Sequence, residues 1–164
     1  MSMLHLHARN QADTQQIAAV IAGLVRQRDL IVLVGEMGSG KTFFTQAFGR
    51  ALNITEPITS PTFNLLHSYT SGRLHLHHAD LYRLDRTGEL ADLGLHELLD
   101  IGGVVIVEWG DVVGDALGDA LVVRLRNSDD LSKIDERLID VGDRGGQWDT
   151  RWIVLRDSLD AWGK

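Results

Sequence analysis

The sequence predicts an α/β fold in which a central sheet, mostly parallel or mixed, is flanked by helices. Two runs of consecutive apolar residues, 30–34 and 104–107, are rich in β-branched side chains, which is typical of strands buried on both faces. A glycine-rich loop and then a helical pattern follow the first run directly. A turn at Ser71-Gly72 between two strand-like segments adds an antiparallel hairpin.

Length and composition narrow the protein class. The 164 residues are expected to form a single domain, 1–164, and the 44% apolar and 24% charged content is that of an ordinary globular protein. The absence of cysteine excludes disulfides and thiolate metal sites. The net charge of −7 argues against a broad nucleic-acid footprint. Neither a membrane-spanning run nor a secretion signal is visible, so a cytoplasmic protein is expected.

The glycine-rich loop fits the phosphate-binding pattern Gly, four residues, Gly-Lys-Ser/Thr. The predicted binding residues are Gly35, Glu36, Met37, Gly38, Ser39, Gly40, Lys41 and Thr42. Glycines let backbone N–H groups face phosphate oxygens, and the following helix adds its positive dipole end. Lys41 is expected to reach the β- and γ-phosphates and to neutralise charge during bond breakage, and Thr42 to bind Mg²⁺. A chance glycine turn is the alternative, and the flanking strand and helix disfavour it. The sequence therefore predicts a P-loop NTPase domain.

Further patterns surround this loop in the N-terminal half. Met3–His7 alternates as a short edge strand does. Asp13 is expected to cap a helix whose apolar stripe spans residues 17–25, and a second helix is predicted over residues 43–52, ending at Asn53.

The later elements are predicted to be two hairpin strands, one or two short helices broken near Gly94, another strand pair and a docked C-terminal helix. They cover residues 63–69 and 74–78, 89–99, 120–125 and 137–141, and 148–162, in that order.

Two carboxylates follow predicted strands, where ligands bind in open α/β sheets. Asp80 is expected to orient water or hold metal-bound water, and a helix cap or a salt bridge to Arg83 is the plainer alternative. Glu108 ends the buried strand at residues 104–107, the position that binds Mg²⁺ directly or through water in P-loop proteins. A surface carboxylate at a strand end is the alternative for Glu108.

Two further features leave alternatives open. The segment Ser60-Pro61-Thr62 places two hydroxyls around a rigid proline, so it is either a switch that responds to the γ-phosphate or a plain loop. His75 and His77 would share one face of a strand, but nothing obvious completes a four-ligand zinc site around them.

Four motifs together carry a family resemblance. They are Gly-Glu-Met-Gly-Ser-Gly-Lys-Thr at 35–42, Ser-Pro-Thr-Phe at 60–63, His-Ala-Asp-Leu-Tyr-Arg-Leu at 78–84 and Val-Glu-Trp at 107–109. In a chain of this length the set resembles the bacterial TsaE (YjeE) family. That family consists of small ATPases needed to make the threonylcarbamoyladenosine modification of tRNA.

The resemblance implies that ATP binds at the loop from Gly38 to Thr42, that Thr42 and Glu108 hold Mg²⁺, and that Asp80 acts in hydrolysis. Thr62 would belong to a catalytic switch segment near the γ-phosphate. The implied partner is the TsaD–TsaB heterodimer, which performs the carbamoyl transfer. The chain would contact tRNA only indirectly, through that heterodimer. The chain would then support turnover of that complex, with slow hydrolysis alone and stimulation by its partners.

Three other functions are compatible with a phosphate loop. A small-metabolite kinase would need an acceptor pocket and usually an arginine-bearing lid, but no arginine cluster follows Glu108. A GTPase would need the guanine-reading motif Asn-Lys-x-Asp, which the sequence lacks. A non-enzymatic scaffold would keep its function without Lys41.

Overall fold

The centre of the fold is a mixed β-sheet. The computed structural model describes residues 2–61, 65–81, 94–109 and 117–164. The strands within these ranges are Met3–Ala8 (β1), Leu30–Val34 (β2), Leu66–Tyr69 (β3), Leu76–Asp80 (β4), Val104–Glu108 (β5), Ala120–Asn127 (β6) and Arg137–Arg144 (β7). They lie in the order β1-β7-β6-β2-β5-β4-β3. β2 pairs in parallel with β5 and β6, and β4 pairs in parallel with β5, whereas the β1–β7, β6–β7 and β3–β4 pairs are antiparallel. The predicted α/β class is therefore confirmed.

Helices flank the sheet on both faces. They are Gln11–Leu24 (α1), Lys41–Ala51 (α2), Leu95–Asp100 (α3) and Trp152–Ser158 (α4), with 3₁₀ turns at Asp149–Arg151 and Asp160–Trp162. Side chains of α1, α2 and α4 share one apolar cluster, and α3 belongs to a second cluster on the opposite face. Within the described ranges, no helix combines the length and apolar character needed to cross a membrane.

β2 connects the two apolar clusters, since all five of its residues are buried. Ile31 and Leu33 pack in one cluster with Phe44 and Phe48 of α2, and the alternate residues of β2 pack in the other with Val105 of β5. Burial of each phenylalanine contributes about 1.5–3 kcal/mol relative to leaving it exposed. The strand before the glycine loop and the helix after it are therefore fixed to one another by their own side chains.

The start of α1 corrects one prediction. The helix begins at Gln11, and its N-cap is Asn10 rather than Asp13, because the Asn10 side chain accepts a hydrogen bond from the Asp13 backbone N–H at 2.8 Å. Asp13 in turn accepts a hydrogen bond from the backbone N–H of Arg9 at 2.9 Å. Asp13 therefore lies inside the first turn of the helix, and the N-cap is three residues earlier in the chain than predicted.

The C-terminal segment is less helical than predicted. The α-helix covers only Trp152–Ser158, because the chain then turns back toward β1. Gly163 forms an antiparallel bridge with Leu6, and the backbone N–H of Lys164 donates to the carbonyl of His5 at 3.1 Å. The predicted docking is confirmed, since Leu155 and Leu159 are fully buried.

Most other element predictions are confirmed within the described residues. These are the edge strand β1, the buried strands β2 and β5, the β3–β4 hairpin, the β6–β7 pair and the end of α2. Gly94, at φ +67°, is the N-cap of α3. Residues 63 and 64 of one predicted strand and 89–93 of the predicted helical segment lie outside the described residues.

A buried ion pair joins the C-terminal segment to the start of β2. The Arg151 guanidinium group donates to the two carboxylate oxygens of Asp29 at 2.6 and 3.0 Å. It also donates to the carbonyl of Leu24 at 2.9 Å and lies 3.9 Å from the centroid of the Trp148 ring. The Asp29 carboxylate additionally accepts from the backbone N–H of Arg26 at 2.7 Å. One buried carboxylate therefore joins two segments of the chain, residues 24–29 and 148–151.

We predict that Asp29→Ala lowers the free energy of unfolding by about 3–5 kcal/mol, because it leaves the Arg151 charge buried without a partner. Urea unfolding followed by circular dichroism measures this change. Asp157→Ala is the control, since the Asp157–Arg156 pair is exposed and should contribute nothing measurable. Equal stability of the two variants would contradict the importance assigned to the buried pair.

Candidate nucleotide-binding site

Glycine at position 35 lets the loop pass close to β6. A Cβ atom added to Gly35 would lie 2.6 Å from the carbonyl oxygen of Leu125 and 2.4 Å from Oγ of Ser39. Because the Leu125 oxygen belongs to the backbone, a larger residue would push the loop away from the sheet. Close packing therefore explains the first glycine of the motif.

The second half of the loop turns through left-handed backbone conformations. Gly38 has φ +81° and Gly40 has φ +99°, values that favour glycine. Gly40 is the N-cap of α2, and no side chain of the described residues caps this helix end. The first-turn N–H groups and the positive end of the helix dipole are therefore arranged as they are in phosphate-binding helices.

The Lys41 side chain folds over the loop. It is buried, and its Nζ donates to the carbonyl oxygens of Gly35 at 2.6 Å and Glu36 at 2.9 Å. The same nitrogen lies 3.9 Å from the centroid of the Trp109 ring, a cation–π distance. These contacts hold one positive charge beside the N-terminus of α2.

Thr42 and Glu108 meet because β2 and β5 are parallel neighbours that end at the same edge of the sheet. The Thr42 Oγ1 lies 3.1 Å from each carboxylate oxygen of Glu108. Only 3% of Glu108 is exposed, and His78 Nε2 lies 2.5 Å from its Oε2. A buried carboxylate must be hydrogen-bonded, and these two side chains meet that requirement.

Asp80 lies beside Glu108, since the parallel register of β4 and β5 pairs these two residues. Ser60 Oγ donates to Asp80 Oδ2 at 3.3 Å, which connects the predicted switch segment to the site. Thr62 of that segment and Arg83, the alternative partner of Asp80, lie outside the described residues. The ends of two neighbouring strands thus bring two carboxylates to the same edge as the loop.

A cleft of about 340 Å³ opens at this edge. Its lining consists of Met37, Gly38, Gly40, Lys41, Thr42, Phe43, Ser60, Asp80, Glu108 and Trp109. A hydroxyl and a carboxylate that touch one another provide the oxygen ligands that Mg²⁺ prefers. Thr42 and Glu108 therefore fit the expected metal, and the helix end beside them fits a phosphate group.

The eight predicted binding residues occupy different positions around the loop. Five of them line the cleft, namely Met37, Gly38, Gly40, Lys41 and Thr42. Gly35 and Glu36 supply carbonyl oxygens to Lys41, and Ser39 is buried behind the loop. The residues of the motif therefore differ in role, although the sequence pattern places them in one group.

Trp109 follows Glu108 in a left-handed conformation with φ +63°. Such a conformation costs about 1–3 kcal/mol for a non-glycine residue and persists only where the surroundings fix it. The conformation coincides with the placement of the Trp109 ring against Lys41. Trp109 thus belongs to the cleft rather than to the apolar core alone.

The histidines of β4 have separate environments. His77 Nδ1 lies 2.7 Å from Ser68 Oγ. Burial, and to a smaller extent His75, lowers the pKa of His77, which favours its neutral form. Within the part of the chain that the structure describes, no three metal-ligating side chains gather in one place.

Sequence reasoning missed two residues of the site. His78 contacts Glu108, and a signal existed, because strand alternation places His78 on the same face as Asp80. Arg137 donates from its Nε to the Ser39 carbonyl oxygen at 2.8 Å. Nothing local in the sequence indicates this contact, since it depends on how β7 lies relative to the loop.

Comparisons with known proteins relate this chain to one family. A family model described as "Threonylcarbamoyl adenosine biosynthesis protein TsaE" matches residues 8–137, which include the loop, Asp80 and Glu108. The TsaE proteins of Bacillus subtilis and Treponema pallidum, both named tRNA threonylcarbamoyladenosine biosynthesis proteins, are each 38% identical to this chain. The first alignment covers 71% of this chain and 73% of the relative, and the second covers 70% and 84%.

A solved structure extends the comparison to almost the whole chain. The crystal structure of Bacillus subtilis YdiB superposes with a TM-score of 0.77 at 30% sequence identity, covering 98% of this chain and 95% of that one. The overall fold is therefore shared beyond the segment that the family model matches. Together, the matched segment and the identities of the relatives show that the chain belongs to the TsaE family.

Proposed function

We propose that this chain binds and hydrolyses ATP with Mg²⁺, and that hydrolysis supports the threonylcarbamoyl modification of a tRNA adenosine. Membership of the TsaE family supports a role in this tRNA modification. The observation that carries the ATPase assignment is the contact of Thr42 with the buried Glu108 carboxylate beside the N-terminus of α2. That arrangement matches the phosphate and metal ligands of P-loop enzymes.

Nucleotide binding would use the loop and Lys41 together. The backbone N–H groups of the loop and of the first turn of α2 donate to phosphate oxygens. The Lys41 ammonium group, held at the same opening, supplies a full positive charge for the β- and γ-phosphates. Thr42 and Glu108 would hold Mg²⁺, which when bound neutralises negative charge on the phosphate oxygens.

Hydrolysis would use Asp80 to place water. Asp80 and Glu108 line the same cleft, and Ser60 orients the Asp80 carboxylate through its hydroxyl. A water molecule that donates a hydrogen bond to Asp80 is held toward the terminal phosphate as a nucleophile. Among the described residues, no arginine lines this cleft. An arginine finger stabilises negative charge in the transition state of hydrolysis, and here only Lys41 and the loop would do so. We therefore expect slow hydrolysis by the isolated chain.

Partner proteins would accelerate this slow hydrolysis. We propose that the chain acts with a TsaD–TsaB heterodimer, which performs the transfer, and that ATP turnover allows repeated cycles of that complex. The net charge of −7 disfavours direct binding to the tRNA backbone, so contact with tRNA would be indirect.

Calorimetry with ATP tests the binding residues separately. Lys41→Ala should weaken ATP binding by about 10–100-fold both with Mg²⁺ and with a chelator, because charge-assisted hydrogen bonds are lost. Glu108→Gln should remove mainly the extra affinity that Mg²⁺ provides, because it keeps the shape of the side chain and removes its charge. Arg156→Ala, an exposed site paired with Asp157, is the control and should bind as the wild type does. A full Mg²⁺ enhancement in Glu108→Gln would contradict the metal assignment.

Reconstitution of tRNA modification tests the function itself. The TsaD–TsaB complex is supplied in a limiting amount relative to tRNA. The wild-type chain should then support many turnovers of that complex, whereas Lys41→Ala and Glu108→Gln should support few. The modified nucleoside is quantified after digestion of the tRNA.

Normal multiple-turnover modification by both variants would refute the proposed ATPase role. The release of free phosphate, measured in the same reactions, distinguishes an ATPase from a small-metabolite kinase. A kinase would transfer the phosphate to a metabolite, whereas an ATPase transfers it to water.

A further inference from the structure

Arg137, the first residue of β7, lies against the phosphate-binding loop although 98 positions separate it from Ser39. Its Nε donates to the Ser39 carbonyl oxygen at 2.8 Å. Its Nη1 donates to the carbonyl oxygens of Ile134 at 2.6 Å and Glu136 at 2.9 Å. A Cβ atom added to Gly40 would lie 3.6 Å from the same Nε. One guanidinium group therefore connects the loop to the segment that precedes β7.

The carbonyl oxygens of the loop need hydrogen-bond donors. A loop whose N–H groups face a phosphate directs several of its carbonyl oxygens elsewhere, and each of them requires a partner. Lys41 donates to two of these carbonyls, those of Gly35 and Glu36. The Ser39 carbonyl, directly before Gly40, accepts from Arg137 instead.

An arginine suits this position better than a lysine. The guanidinium group is planar, remains protonated and directs five N–H donors in fixed directions. It can therefore hold carbonyls of two segments at once, which one ammonium nitrogen cannot do in the same geometry. The peptide between Ser39 and Gly40 leads into α2 through φ +99° at Gly40, so fixing it also fixes the first N–H groups of the helix.

We propose that Arg137 is a positioning residue for nucleotide phosphate, acting through the Ser39 carbonyl on the conformation of the loop. This inference deepens the proposed function and rests on it, since it assumes that a nucleotide binds at the loop. Arg137 is not among the residues that line the cleft with Asp80 and Glu108. Its loss should therefore raise KM more than it lowers kcat, and should weaken ATP and ADP binding whether or not Mg²⁺ is present.

Three variants of the full chain test the proposal. Arg137→Gln removes both the positive charge and the planar set of N–H donors. Arg137→Lys keeps the charge but removes the planar set of donors. Arg144→Gln is the matched control, because Arg144 also lies on β7 and donates to a loop carbonyl, that of Gly118, away from the cleft. Calorimetry with ATP and ADP, steady-state kinetics and hydrogen exchange of the amides of residues 36–42 are measured for each.

The expected result is a rise of about tenfold in the dissociation constants of both nucleotides for Arg137→Gln, with a smaller rise for Arg137→Lys. Amide exchange should increase in the loop but not across the sheet. Arg144→Gln should match the wild type in nucleotide affinity and in loop exchange.

Two results would overturn the proposal while leaving the proposed function intact. One is nucleotide affinity within twofold of the wild type in both Arg137 variants. The other is faster exchange across the whole sheet in Arg137→Lys, which would make Arg137 a general stabilising residue. Failure of the wild-type chain to bind either nucleotide would instead refute the proposed function, and the role of Arg137 with it.

Discussion

The hydrogen bonds between Thr42 and Glu108 are the constraint on which the rest of the site depends. They join the helix after the loop to the end of the neighbouring strand, and they require β2 and β5 to be parallel and adjacent. A carboxylate with 3% exposure is costly to bury unless its oxygens are paired, so the folded site needs Thr42 and His78 as hydrogen-bond partners of Glu108.

The conformation of the loop also depends on contacts away from the cleft. Arg137 donates to the Ser39 carbonyl oxygen, and Gly35 allows close approach to the backbone of Leu125. Phe44 of α2 anchors the far side of the loop in the same apolar cluster as Leu33. The conformation of the loop is therefore set by β6, β7 and α2 together, and not by the glycines alone.

Much of this architecture could be predicted from the sequence, because the decisive signals are local. A run of five apolar residues, a glycine loop and an apolar helical face predict β2, the loop and α2 in order. The start of α1 was less predictable, because Asn10 and Asp13 are both good capping residues and only the observed hydrogen bonds distinguish them. Arg137 could not be predicted, since its contact with Ser39 depends on how β7 lies relative to the loop, which no local pattern encodes.

We propose that Thr42 and Glu108 together hold the metal of a bound Mg²⁺–ATP, and a crystal structure of the chain with Mg²⁺ and a non-hydrolysable ATP analogue would test this proposal. We expect the triphosphate on the loop at the N-terminus of α2, with the metal bonded to Thr42 Oγ1 and to the Glu108 carboxylate, directly or through one water. A metal bound away from both residues, or a triphosphate outside the loop, would contradict it.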